Sequence, residues 1–192
     1  MDDQDIKLSV HLLLPEWMSG FVSDLKESYP SDEDKMRMVL DLAIHNVEES
    51  TGGPFGAAIF DAQSHQVISL GVNRVVPLNN STAHAEMMAF MLAQKRLKRF
   101  RLDTEDHDFI LVTSAQPCAM CYGACPWAGI NRVLIGARRE DVESLTEFNE
   151  GPLPADWIHG LKERGIAVTQ DVLRQESREV FNLYTKKKGT QY

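Results

Sequence analysis

The strongest periodic pattern in the chain begins at Ser31. Ser31 and Asp34 resemble a capping box, in which side chains satisfy the free N–H groups at the start of a helix. Apolar residues then recur at helical spacing, at Met36, Val39, Leu40, Ala43 and Val47. Because the Gly-Gly-Pro segment at 52–54 does not continue a helix, the pattern predicts a helix that ends before it.

Shorter apolar runs alternate with helical patterns over the rest of the chain. Residues 55–60 and 67–72 predict two buried strands that form a hairpin. Further strands are predicted at 109–113, 133–137 and 166–169, and further helices at 83–98, from Pro117, at 156–164 and from Val172. This order predicts an α/β protein, a three-layer α/β/α sandwich with a mixed central sheet.

The start of the chain carries a weaker pattern. Apolar and polar residues alternate from Ile6 to Leu12, which predicts either a short strand or a partly ordered tail. We assign residues 1–27 to an N-terminal arm. Since no linker rich in proline, glycine or serine interrupts the remainder, we assign residues 28–192 to a single domain.

Composition and charge narrow the classes of protein. The 192 residues include 20 Lys and Arg against 28 Asp and Glu, which gives a formal net charge of −8. Such a chain has no general attraction to nucleic acids or anionic membranes. The acidic start does not resemble a secretory signal, and no apolar run approaches the roughly 18 residues of a membrane span. We therefore expect a soluble, cytoplasmic protein.

The three cysteines of the chain, Cys118, Cys121 and Cys125, lie close together. An odd, clustered set is a poor disulfide framework and indicates metal or redox chemistry. Cys118 and Cys121 are one helical turn apart at a predicted helix start, and His84 lies at another. One histidine and two cysteines suit tetrahedral Zn²⁺ with its fourth position open, as in a catalytic site. Cys125 is interpreted as a small buried hydrophobe.

Glu86 follows His84 by two residues, too close to be a natural fourth ligand from the same turn. It is well placed to reach a water molecule on the metal and to accept its proton. The order His-x-Glu followed by Pro-Cys-x-x-Cys is the signature of zinc-dependent nucleobase deaminases. The alternative, a structural zinc site or simple packing, leaves both Glu86 and the missing fourth ligand unexplained.

On these motifs the chain resembles the cytidine deaminase-like superfamily and, within it, the bacterial guanine deaminases. The resemblance runs from about Gly52 to about Tyr184. It rests on His-Ala-Glu at 84–86 and Pro-Cys-Ala-Met-Cys at 117–121, with Gly-Gly-Pro-Phe at 52–55, Asn-Arg-Val-Val-Pro at 73–77, Trp127 and Phe-Asn-Glu-Gly-Pro at 148–152.

The resemblance implies one zinc ion per subunit, held by His84, Cys118 and Cys121. It implies that Glu86 shuttles protons and that Glu150 is a second carboxylate acting on the departing amino group. The implied reaction is hydrolytic, with guanine becoming xanthine and ammonia. Glu147, in the same acidic stretch, is the alternative to Glu150.

The resemblance also implies a set of substrate-binding residues. Asn73 would hydrogen-bond the purine ring, Ala85 would contact the substrate, and Phe55 and Trp127 would stack against the base. The alternative interpretations are a strand-end cap for Asn73 and plain core packing for the two aromatic residues. One departure from the family is Gln116, where members commonly carry Glu before Pro-Cys, and we expect altered electrostatics there without loss of activity.

The implied partner is a small-molecule purine base rather than a nucleic acid or a membrane. Family members are typically homodimers whose C-terminal segment often exchanges, so the aromatic tail 181–192 is a candidate lid, with a disordered end as the alternative. A tRNA adenosine deaminase shares the zinc motifs but needs to grip a polyanion, which the charge disfavours. Deamination of guanosine or another aminated heterocycle stays open, and Glu86 disfavours a non-catalytic zinc-binding subunit.

Overall fold

The computed structural model describes residues 8–191. The helices are α1 Met18–Ser23, α2 Asp32–Glu48, α3 Val75–Leu78, α4 Ala85–Leu97, α5 Ala119–Ala128, α6 Arg139–Leu145, α7 Trp157–Lys162 and α8 Arg174–Lys186. The strands are β1 Gly56–Asp61, β2 Val67–Val72, β3 Phe109–Ala115, β4 Arg132–Ala137 and β5 Ala167–Thr169. All five predicted strands and all five predicted helices are therefore present, with ends shifted by a few residues.

The strands form one mixed sheet in the order β2-β1-β3-β4-β5. β1 runs antiparallel to both β2 and β3, whereas β3, β4 and β5 run parallel to one another. Because of these directions, the ends of β2 and β3 and the start of β1 meet at the same edge of the sheet. That edge is where the segments around residues 73, 84 and 118 come together.

Helices cover both faces of the sheet, which confirms the predicted three-layer sandwich. Ala58 and Phe60 of β1 point into the core beneath α2 and α8, whereas Ala57 and Ile59 point into the core beneath α4, α5 and α7. This strict alternation follows from the two-residue repeat of a strand. With both faces buried, β1 reads as a continuous apolar run.

The start of α2 confirms the capping prediction. The hydroxyl oxygen of Ser31 accepts a hydrogen bond from the backbone N–H of Asp34 at 3.0 Å, and the Asp34 carboxylate accepts one from the Ser31 hydroxyl at 2.7 Å. Met36, Val39 and the other apolar positions of the pattern are buried. The sequence pattern therefore places this helix on the correct face as well as at the correct position.

Part of the predicted arm packs against the domain. Met18 is buried, and the indole of Trp17 stacks on the imidazole of His45 with 5.6 Å between ring centroids. Trp17 Nε1 also donates to Thr51 Oγ1 at 3.0 Å. Residues 8–15 form neither helix nor strand, so the predicted short strand is wrong there, and Ile6 lies outside the described residues.

The edge strand β2 contacts α4 closely. A Cβ at Gly71 would lie 2.0 Å from the carbonyl oxygen of Ala85, so only glycine allows α4 to approach β2 at this point. At the other end of α4, the Arg96 guanidinium donates to the carbonyl oxygens of Val67 and Ile68 at 3.1 and 2.8 Å. These contacts fix α4, and with it His84 and Glu86, against the sheet.

Candidate active site

The N-termini of two helices meet at the edge of the sheet where β2 and β3 end and β1 begins. His84 is the N-cap of α4, and Cys118 is the N-cap of α5, with Cys121 in the first turn of the same helix. Pro117 precedes this N-cap rather than occupying the first helical position that we predicted, because the chain is still extended at Cys118. His84 Nδ1 lies 3.5 Å from Cys118 Sγ, and ligand atoms of all three residues lie within 4.8 Å of one another.

The donor set fits zinc. One imidazole nitrogen and two sulfurs converge, and both cysteines are buried. A hydrogen bond from Cys121 outweighs the opposing effect of burial and, together with His84, lowers the pKa of the Cys118 thiol to about 4. Cys118 is therefore a thiolate at neutral pH, the form that binds metal. Cys125 is fully buried and donates its S–H to the carbonyl oxygen of Cys121 at 3.3 Å, as expected for a packing residue.

Glu86 lies in the first turn of α4, buried beside the three ligand residues. Its Oε1 accepts a hydrogen bond from the hydroxyl of Thr113 on β3 at 3.3 Å. Burial raises the pKa of Glu86 above its ordinary value, and the charge of the Cys118 thiolate raises it further. A carboxylate in such surroundings takes up a proton more readily than one in water.

A small cavity of about 80 Å³ opens beside these residues. Its lining comprises Phe55, Asn73, His84, Glu86, Gln116, Cys118, Phe148, Asn149 and Glu150. The structure thus brings together, around one cavity, predicted residues that are up to 95 positions apart in the chain, from Phe55 to Glu150. Phe55 lies 5.3 Å from Phe148, centroid to centroid, so aromatic rings form part of the wall.

Glu150, rather than Glu147, faces the cavity. Glu150 is 8% exposed, whereas Glu147 is exposed to solvent. The carbonyl oxygen of Glu150 accepts from the N–H of Ala119 at 3.0 Å, which ties this loop to the start of α5. Burial, followed by the charges of Cys118 and Glu86, raises the pKa of Glu150 to about 8.

Asn73 is buried at the end of β2 and is held from three directions. Its Oδ1 accepts from the N–H of Val75 at 3.2 Å, and its backbone N–H donates to the carbonyl oxygen of Phe55 at 3.0 Å. Its carbonyl oxygen accepts from Asn46 Nδ2 at 3.0 Å. With its oxygen occupied in this way, the Asn73 amide has its N–H groups to offer to a ligand.

Two of the predicted binding residues do not line the cavity. Trp127 is 82% exposed, near the far end of α5. It comes nine residues after Cys118, which places it roughly 13 Å along the helix and about half a turn round, on the opposite face. We therefore withdraw the stacking role of Trp127 within its own chain. Ala85 is fully buried in the first turn of α4, against Gly71 of β2.

The structure adds residues to the site to which the sequence assigned no role of their own. Asn46 of α2 is fully buried, and its Nδ2 donates to the carbonyl oxygens of Gly53 and Asn73 at 2.9 and 3.0 Å. Thr113 contacts Glu86, and Phe148 and Asn149 line the cavity. The signal for Asn46 was present, because it is a polar side chain on the apolar face of a helix.

This fold, with His-Cys-Cys ligands beside a buried glutamate, defines a zinc-dependent deaminase. The chain belongs to the family of the cytidine and deoxycytidylate deaminase zinc-binding region, whose model matches residues 30–137, more than half of the chain. The protein is therefore an enzyme of the hydrolytic nucleobase-deaminase type.

Relatives of known structure cover nearly the whole chain. The guanine deaminase from Nitrosomonas europaea is 37% identical, with a TM-score of 0.88 over 95% of this chain and 100% of that one. A chain crystallised with 2,6-diaminopurine is 38% identical, with a TM-score of 0.89 over 96% of each. These two similarities include the segments outside the family model.

Sequence relatives carry two different names. The guanine deaminase of Bacillus subtilis is 39% identical over 109 residues, which span 57% of this chain and 66% of that protein, just under two thirds of its length. A tRNA-specific adenosine deaminase of Buchnera aphidicola is 28% identical over 153 residues, which span 80% of this chain and 93% of that protein.

Within residues 8–191, no helix combines the length and apolar character that a membrane crossing requires.

Proposed function

We propose that this protein deaminates guanine by hydrolysis, giving xanthine and ammonia. The observation that carries the proposal is the similarity to the Nitrosomonas europaea guanine deaminase, which extends over 95% of the chain. The lining of the cavity supports it, because two buried carboxyl groups, an oriented amide and aromatic rings surround a space beside the zinc ligands. This combination suits a flat, polar heterocycle.

Each residue has a role in the proposed reaction. His84, Cys118 and Cys121 would hold the zinc ion, which would supply a Lewis acid able to lower the pKa of a water molecule to about 7. Glu86 accepts a proton from the attacking water and returns it to the base. Glu150 donates a proton to the departing amine, a role that burial favours because it raises the pKa of this carboxyl group. Asn73 donates to a ring acceptor, and Phe55 packs against the ring.

The first test is ammonia release from guanine by the zinc-loaded protein. Glu86→Gln is expected to abolish turnover while the bound zinc, measured by metal analysis, stays at one per chain. Full turnover by Glu86→Gln would refute the mechanism. Glu150→Gln is expected to lower kcat strongly, whereas Glu147→Gln, in the same loop but exposed, serves as its control. Equal rates for both variants would remove Glu150 from the reaction.

The substrate range is tested by an ammonia-release screen. The panel contains guanine, guanosine, adenine, cytosine, cytidine and aminotriazines. We expect guanine to be the preferred substrate, because the cavity of about 80 Å³ is small and a ribose adds bulk. A preference for guanosine would require the proposed substrate to be revised.

A tRNA adenosine deaminase is the second candidate, and the 28% identity to the Buchnera protein over most of both chains favours it. The net charge of −8 argues against it, because contacts with phosphates normally dominate RNA affinity. A gel shift with total tRNA separates the two candidates. Tight binding that weakens steeply with salt would favour the tRNA substrate, and we expect none.

Assembly and location are part of the proposal. We propose a homodimer with the C-terminal segment acting as a lid, either exchanged or on its own subunit. In this chain, Glu147 donates its N–H to Gln191 Oε1 at 3.3 Å, next to the loop that carries Glu150. Tyr192 lies outside the described residues. Deletion of residues 187–192 is expected to raise KM, and unchanged kinetics would argue against a lid. The proposed homodimer is tested separately by light scattering, which measures the molar mass in solution.

The three free thiols favour a reducing compartment, and we propose the cytoplasm.

A further inference from the structure

Gln116 is a buried amide at the wall of the cavity. It lies between the end of β3 and the Pro117-Cys118 segment and is 7% exposed. Its backbone N–H donates to the carbonyl oxygen of Ala137 at 2.8 Å. Its side-chain Oε1 accepts from the backbone N–H of Arg139 at 3.3 Å. One hydrogen bond to the end of β4 and one from the start of α6 thus fix the backbone and the side chain of Gln116.

The bond from Arg139 determines which way the amide faces. A backbone N–H can only donate, so the atom of Gln116 that receives it has to be the oxygen. The Nε2 group therefore lies on the other side, and it makes no hydrogen bond to any of residues 8–191. Within residues 8–191 the buried side-chain atoms without a hydrogen-bond partner are His65 Nδ1 and Asp103 Oδ1, so Gln116 Nε2 is open to the cavity, where water or a ligand can accept from it.

The side-chain amide of Asn73, which also lines the cavity, is oriented by the protein in the same way. Its Oδ1 is occupied by the N–H of Val75, just as the Gln116 oxygen is occupied by the N–H of Arg139. Asn149 Oδ1 likewise accepts from the N–H of Gly151, but the Asn149 side chain is exposed. The lining therefore has two buried amide side chains, Asn73 and Gln116, whose acceptor atoms are used by the protein and whose donor groups are unused. Such a pair is matched by a ring with acceptor atoms on its edges. Guanine presents the acceptors O6 and N7, whereas adenine has an amino donor in place of O6.

We propose that Gln116 is a specificity-determining residue, which donates a hydrogen bond from Nε2 to an acceptor atom of the substrate base. The proposal rests on the assignment of guanine as the substrate. The selected ligand is an amino-substituted heterocycle with an unprotonated ring nitrogen or a carbonyl oxygen facing Gln116. A site that uses buried donors in this way rejects analogues without the acceptor, because the donor is then left unpaired.

The test pairs a change in the protein with a change in the ligand. Gln116→Met keeps the length of the side chain and removes its hydrogen bonds. Direct binding of guanine and of three probes that each lack one acceptor is measured by titration calorimetry in the Glu86→Gln background, with and without Gln116→Met, because this background is expected not to turn the bases over. These probes are 2-aminopurine, without O6, 7-deazaguanine, without N7, and 3-deazaguanine, without N3. Zinc content and melting temperature are checked for each variant, and Gln175→Met on the exposed face of α8 is the matched control.

Gln116→Met is expected to weaken guanine binding by about tenfold or more. For one of the three probes the same substitution is expected to have little effect, which identifies the acceptor.

Equal weakening for all four ligands, or none, would overturn the proposal, as would a Glu86→Gln protein that binds none of them. Binding of guanine by this protein, without release of ammonia by the wild type, would refute the proposed function and leave the role of Gln116 standing.

Discussion

Replacing Asp141 by Asn is expected to destabilise the fold. Asp141 lies in α6 and is 1% exposed. Its carboxylate accepts hydrogen bonds from Arg174 at 2.7 and 3.0 Å, from Arg178, and from the backbone N–H of Arg138 at 2.9 Å. The two arginine side chains belong to α8, so this single carboxylate joins α6 to the C-terminal helix.

The size of the effect follows from the pKa of the carboxyl group. Burial by itself raises the pKa of Asp141, but the hydrogen bonds from Arg174, from the N–H of Arg138 and from Arg178 outweigh it and lower the pKa from 3.8 to about 2. At about 1.36 kcal/mol per pKa unit, this difference is worth roughly 2 kcal/mol of folding free energy. For a chain of this size, the melting temperature should fall by roughly 4–8 °C.

The dependence on pH has a definite sign. Since the folded-state pKa is lowered, the stabilisation is fully present well above pH 3.8 and is lost as the pH falls towards 2. The difference between wild type and Asp141→Asn should therefore be constant from pH 7 to pH 5 and should shrink to roughly half by pH 3.

Urea unfolding at pH 7, 5 and 3 measures this difference. The control is Glu143→Gln, on the same helix, because Glu143 pairs with Arg139 at 2.6 Å but is 38% exposed and should contribute under about 1 kcal/mol. Equal unfolding free energies for the two variants at pH 7 would refute the reasoning. So would a loss in Asp141→Asn that stays the same at pH 3.

Four further predictions concern the site. Gly52→Ala should raise KM for the base by tenfold or more, because the new Cβ would lie 1.8 Å from the carbonyl oxygen of Asn73 and displace it. An unchanged KM in steady-state kinetics would contradict this prediction. Asn46→Ala should lower the free energy of unfolding in urea by about 1–3 kcal/mol and also raise KM, since two buried carbonyl oxygens lose their hydrogen-bond donor. A change in stability with no change in KM would limit Asn46 to a structural role. Removal of zinc by a chelator should lower the melting temperature in calorimetry, because metal binds the folded state. In metal analysis Cys118→Ala should lose zinc, whereas Cys125→Ala should retain it.

The sequence was sufficient for the elements that are long and regular. The helix α2 and the β1–β2 hairpin have repeated apolar positions and clear stop residues, so periodicity alone located them. The helices α1, α3 and α6, of four to seven residues each, were missed, although α7, with six residues, was predicted. Such short helices depend on contacts with distant elements, as at Asp141, and leave little periodic signal.

The sequence was sufficient for those parts of the site whose chemistry restricts the residue types. Zinc restricts its ligands to a few residue types, so His84, Cys118 and Cys121 stood out in the sequence and lie together in the structure. The direction in which a side-chain amide faces cannot be recognised from the residue type in this way. The donor role of Gln116 depends on Arg139, 23 residues further along the chain, and no local pattern contains that contact. Trp127 was misplaced because its stacking role came from the family resemblance alone, whereas in the structure it is exposed near the far end of α5.

The ends of the sheet restrict how this protein can associate with other chains. An uncovered edge strand is a template on which a second chain can add its own strand. Here one edge is β2, whose first two carbonyl oxygens already accept hydrogen bonds from Arg96, and the other is β5, with only three residues. Both edges are poor templates, so the sheet ends at five strands. Association through the helical layers or the loops leaves the sheet unchanged and lowers the risk of aggregation by strand pairing.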